Sequence, residues 1–165
     1  MTEQANMSKH QALIDKYENG GEQLLLAIRG LTREDLLAVP IPGKWSTQQV
    51  VIHLMDSDLI AADRMKRVIA EDNPTLIGFD ENKFVANLHY EDQDAETGAK
   101  VLDMNRKLFA PVLRKLPDSA FERSGTHNER GKVTLLKLLE TYAHHLEHHI
   151  KFIHEKRAAM GKEMW

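Results

Sequence analysis

Nine histidines stand in the 165-residue chain, and five of them fall between Thr141 and His154, in TYAHHLEHHIKFIH. On a helix of about 100° per residue, His145 and His149 share a face with Leu138, Tyr142, Leu146 and Ile153. His144 and His148 fall among Lys137, Glu140, Lys151 and Glu155 on the solvent stripe, and His154 also lies off the apolar face. The inward pair is spaced i, i+4, which stacks two imidazoles where they can share one small ion. Two ligands hold a metal poorly, because a catalytic zinc-type site uses three protein ligands and keeps one position open. His53, between Ile52 and Leu54 in an apolar run, is the candidate third imidazole. A buried ring without a polar partner costs about 1–3 kcal/mol. With an open position, a held water has its pKa lowered toward ~7, and a thiol is deprotonated outright. The ligand set does not choose between these chemistries. The same imidazoles also suit a structural metal clip in a non-catalytic or binding bundle, or a metal-free hydrogen-bonded cluster.

A general acid or base must come from elsewhere. Asp56 lies one turn after His53, placed to accept a ring N–H from a ligand histidine or to face solvent. His127 lies in the polar stretch SGTHNERG, at a pocket mouth or in a solvent loop. Asp80 and Glu81 follow as weaker candidates, since either can cap a short helix at Asn82. Trp45, Tyr142 and Phe152 read as core or pocket wall. Lys44, Arg64 and Lys66 are either attractors for an anionic thiol cofactor or ordinary solvated charges.

The elements that must position these residues are helical. A first segment, Ser8 to Arg29, carries Leu13, Ile14, Tyr17, Leu24, Leu25 and Ile28, with Gly20-Gly21 expected to kink or break it. A short helix follows a Thr32 cap, and Pro40, Pro42 and Gly43 enforce a loop. The second long segment opens at a Ser46 cap with Gln49 completing a capping box, and runs to about Glu71. It is apolar on most sides, as a central helix is. A polar connection, 72–96, includes a short helix at DENKFVANL. The third long segment spans about Ala95 to Leu116, with Pro111 kinking or bounding it. PDSAFERSGTHNERG reads as a loop, and the fourth segment spans about Val133 to Ala159, opening near Lys132 or Thr134. Strand signals are poor. Four long helices predict an all-α four-helix bundle, one domain over 1–165, with short extra helices in the connections.

Composition narrows the function. Cysteine is absent, so a metal must be held by nitrogen and oxygen. The net charge of −3, from 22 basic and 25 acidic residues, gives no reason to expect a nucleic-acid surface. No apolar run approaches the ~20 residues of a membrane helix, and the polar start MTEQANMSKHQ is unlike a signal peptide. The expectation is a cytoplasmic protein acting on a small molecule.

GKWSTQQVVIHLMDSD (43–58) and TYAHHLEHHI (141–150) also carry a family pattern. With DEN at 80–82 and FERSGTHNERGKVTL at 121–135 between them, they resemble the DinB/YfiT-like metalloenzyme superfamily, with its YfiT-like subgroup the best fit. The resemblance spans nearly the whole chain and rests on the order and spacing of the motifs. It implies a four-helix bundle with zinc or nickel held by three histidines, which by position are His53, His145 and His149. The extra histidines at 144 and 148 depart from the pattern. A pair shifted by one would turn lysines and glutamates into the core. Activities implied by the resemblance are transfer to low-molecular-weight thiols such as bacillithiol or mycothiol, thiol-dependent isomerisation, and hydrolysis. A homodimer is a further implication of the subgroup.

Overall fold

The structure is a computed structural model that describes residues 9–164. Four long helices form its frame: α1 (Gln11–Ile28), α3 (Thr47–Ala70), α5 (Ala95–Arg114) and α6 (Leu135–Ala159). Two short ones, α2 (Arg33–Leu37) and α4 (Glu81–Asn87), lie in the connections. Ser8, the expected start of the first helix, lies outside the described residues. α1 and α3 each pack against both α5 and α6, so the two helices consecutive in sequence stand across a diagonal of the bundle. No described helix is long and apolar enough to cross a membrane.

The caps explain where the helices begin. Ser46 Oγ accepts from the Gln49 N–H at 3.1 Å, and Gln49 Oε1 accepts from the Ser46 N–H at 2.9 Å. Thr134 Oγ1 accepts from the Lys137 N–H at 3.1 Å and sets the first turn of α6 at Leu135 rather than Val133. Thr32 heads a second capping box at α2, with Asp35 as its partner. These bonds satisfy N–H groups that a helix start leaves without partners.

Three expectations need correction. Gly20-Gly21 does not interrupt α1. A Cβ on Gly21 would lie 2.4 Å from Asp103 Cα, so the glycine is a point of close helix approach. Pro111 does not end α5, which continues to Arg114. Pro111 is exposed, and solvent can serve the carbonyl that loses its partner. The stretch 117–131 is not a plain loop. It holds a 3-10 turn (Asp118–Glu122) and β2 (Ser124–His127), which pairs antiparallel with β3 (Gly131–Thr134) and parallel with β1 (Thr75–Leu76). Gly131, at φ +75°, follows the 128–130 turn in the left-handed conformation that three-residue hairpin loops use.

The core has two apolar clusters. One holds Ile14, Tyr17, Met65, Phe109 and Leu138, and the other Leu24, Val51, Leu54, Leu102 and Leu146. Between their levels on the helices lies a polar layer. Arg106 Nε donates to Asp58 Oδ1 at 2.7 Å, and Arg106 Nη1 and Nη2 donate to the carbonyls of Tyr17 and Tyr142. Asn105 donates to the other Asp58 oxygen at 2.8 Å.

Candidate metal centre

His53 enters the bundle from α3 and is 1% exposed. The Ser46 capping box fixes the start of that helix, and the Trp45 ring stands edge-on to the His53 ring at 5.1 Å. His145 and His149 come from α6, one turn apart. The ring centroids lie 5.2 Å (His53–His145), 5.0 Å (His53–His149) and 4.5 Å (His145–His149) apart. One nitrogen from each ring lies within 4.8 Å of the others, a grouping that can hold a metal ion. His53 Nε2 and His145 Nε2 are 3.3 Å apart. Two nitrogens at zinc bond lengths in a tetrahedron are separated by about the same distance, ~3.3 Å. His144, His148 and His154 are exposed, and the first two stack on each other.

Burial lowers the pKa of His53 to about 4, of His145 to about 3 and of His149 to about 4. Neighbouring imidazoles deepen the effect at His145 and His149. All three rings are therefore neutral at pH 7 and offer lone pairs, as metal ligation demands. His53 Nδ1 and His149 Nδ1 are buried with no hydrogen-bond partner among the described residues. The donor set and the spacing fit a divalent cation.

Glu81 comes to the cluster from the first turn of α4, with Oε2 3.6 Å from His53 Nε2. Its side chain is 52% exposed, and the neutral His53 makes this a proximity rather than an ion pair. Asp80 instead caps α4, accepting from the Asn82 and Lys83 N–H groups. Asp56 accepts from Tyr90 Oη at 2.6 Å and does not hold the His53 ring, which corrects one of its two expected placements. His127 is not in a solvent loop. It is a buried residue of β2, and its Nδ1 accepts from the Glu129 N–H at 3.1 Å. Burial, then Arg64 and Arg130, lower its pKa.

Two cavities flank the cluster, and Glu81 lines both. The first, about 370 Å³, meets His149 and is mostly apolar, with Ile41, Trp45, Val50 and Phe152 in its wall. Lys156 also lines it and is buried, with its ammonium 5.8 Å from the Phe152 ring centroid. The second, about 310 Å³, meets His53 and His145 and carries Arg64, His127, Arg130 and Tyr142. Sequence reasoning left Arg64 as either an attractor for an anionic cofactor or an ordinary charge, and did not single out Lys156. Periodicity held the signal: Arg64 lies about 20° round α3 from His53, and Lys156 about 20° round α6 from His149.

A family model described as the DinB superfamily matches residues 16–153. The chain belongs to the DinB superfamily. A protein of Oceanobacillus iheyensis named "putative metal-dependent hydrolase" is 30% identical over 140 residues, covering 85% of this chain and 81% of the relative. A Bacillus mycoides protein with the same description is 29% identical over 155 residues, covering 92% and 89%. Among solved structures, YfiT from Bacillus subtilis superposes with a TM-score of 0.87 at 27% identity, covering 98% of this chain and 94% of that one. It is described as a probable metal-dependent hydrolase with an unusual four-helix bundle topology. A second Bacillus subtilis DinB-like protein, YjoA, has a TM-score of 0.60 at 18% identity and shares the fold. This DinB-superfamily chain thus has the four-helix bundle of its relatives, with three imidazoles at its centre.

Proposed function

We propose that this DinB-superfamily protein is a divalent-metal-dependent enzyme that activates a nucleophile for attack on a small electrophilic substrate. The observation that carries the reading is the convergence of three neutral imidazoles, His53, His145 and His149, between two cavities. A bound divalent ion, zinc or nickel, would supply the charge that lowers a water pKa toward ~7 or deprotonates a thiol. The imidazoles hold it, Trp45 packs against the His53 ring, and Glu81 stands where it can hold the nucleophile's proton.

Room for two organic reactants supports transfer of a low-molecular-weight thiol such as bacillithiol. The thiol sulfur bonds to the electrophilic carbon, the leaving group departs with the bonding pair, and Glu81 keeps the proton. The descriptions of the relatives favour the second reading, in which water is the nucleophile and the product is that of hydrolysis.

The test compares zinc- and nickel-loaded protein on a panel of electrophiles, each with and without added thiol. Thiol-dependent turnover identifies a transferase and thiol-independent turnover a hydrolase. Glu81→Gln should keep its metal and lose about 10²-fold in kcat, the low end for a positioned base. Turnover by the loaded wild type no greater than by His145→Ala, in both arms, would contradict an enzyme.

A further inference from the structure

Most buried or half-buried guanidinium groups in this bundle have an evident counterpart. Arg106 meets Asp58 at 2.7 Å, and Arg114 meets Asp15 at 2.7 Å and Glu18. Arg157 donates to three carbonyls, those of Ala27, Arg29 and Lys162. Arg64 differs. Like Arg157 it is 7% exposed with no carboxylate within ion-pair distance among the described residues, but it makes fewer hydrogen bonds and lines a cavity. Its Nη1 donates to Tyr142 Oη at 2.6 Å and its Nη2 to the Ile77 carbonyl, while Nε is buried with no partner. A guanidinium has five N–H donors, so most of its capacity is unused. A buried charge without a counter-ion is costly, and a protein that keeps one at a cavity wall has a use for it.

That wall belongs to the cavity that also meets His53 and His145. Tyr142 links the two parts: its hydroxyl fixes Arg64, and its ring stands edge-on to His145 at 6.4 Å. We propose that Arg64 is the anchor of a carboxylate-binding subsite, which holds an organic acid with its reactive end toward the three histidines. A carboxylate suits the site better than a phosphate. One planar guanidinium matches one carboxylate in charge and in shape. The same cavity is lined by Glu81 and Glu129, opposed by Arg130, so a dianion would face two carboxylates with little added cation to balance them. The direction of the reactive end rests on the proposed function. Carboxylate binding at Arg64 does not, and it is tested on the metal-free protein, where no ion can take the ligand.

The experiment is an NMR titration of the metal-free, isotopically labelled full chain with propionate, with its uncharged isostere propionamide, and with inorganic phosphate. The expected result is saturable shifts from propionate at Arg64, His127, Tyr142 and His145, and none from propionamide. Arg64→Gln should weaken propionate about tenfold or more, as loss of a charged hydrogen bond does. If that variant does not fold, the contrast between propionate and propionamide in the wild type decides alone. Absence of saturable propionate shifts, equal binding of propionamide, tighter binding of phosphate, or unchanged affinity in a folded Arg64→Gln each overturn the subsite. Failure of the protein to bind a metal would leave this titration unchanged, so the two readings fail separately.

Discussion

At the scale of single residues, the three central imidazoles make stability depend on pH. Their folded pKa values of about 3 to 4 lie below the ordinary 6.5. Between those limits the unfolded chain binds more protons than the native one, so native stability falls as pH drops. Metal-free protein should therefore keep its full imidazole contribution above pH 6.5 and lose it progressively toward pH 4. Chemical denaturation from pH 7.5 to 4 reads this directly, and His53→Gln should flatten the slope. A slope that is the same in wild type and variant would contradict neutral burial at His53. The placement of these rings was legible in the sequence. His145 and His149 lie on the apolar arc of one helix, and His53 interrupts an apolar run. The surroundings of His127 were not legible, because its burial depends on pairing with Thr75–Leu76, some fifty residues away. Glu81 was visible only as one of several acids, since its approach to His53 depends on how α4 folds back over α3.

At the scale of elements, helix approach is set by small residues. A Cβ at Gly21 would meet backbone of α5, with Asp103 Cα at 2.4 Å. A Cβ at Gly20 would meet side-chain ends, Leu146 Cδ2 at 2.4 Å and Arg106 Nη1 at 2.8 Å. Backbone cannot step aside without moving a helix, whereas side-chain ends can shift, here at the expense of the Arg106 Nη1 bond to the Tyr17 carbonyl. Gly21→Ala should then destabilise by about 1–3 kcal/mol, as overpacking does. Gly20→Ala should cost less, and thermal unfolding of the two variants reads the difference. An unchanged midpoint for Gly21→Ala would show that α1 and α5 are not held at this distance. Periodicity located the long helices, because each buries a stripe, and the Ser46 and Thr134 caps marked the starts of two of them. The glycine pair was misread because local propensity disfavours glycine in a helix, and only the packed partner explains it. The sheet was missed because strands of two and four residues are too short for an alternating pattern.

At the scale of the whole molecule, the bundle order brings α3 and α6 side by side and puts the polar layer between two apolar clusters. His53 and His145 are 92 positions apart in sequence and meet only in the folded bundle. The apolar run around His53 made it the candidate third imidazole, and the family pattern implied the same three residues. The central claim is that the meeting point holds one divalent ion through three imidazoles. Metal content by inductively coupled plasma mass spectrometry, on tag-free wild type, His145→Ala and His144→Ala, tests it most directly. The account predicts about one divalent ion per chain in the wild type, loss in His145→Ala, and retention in His144→Ala, whose ring is exposed. No bound metal in the wild type after reconstitution, or equal loss in both variants, would contradict it.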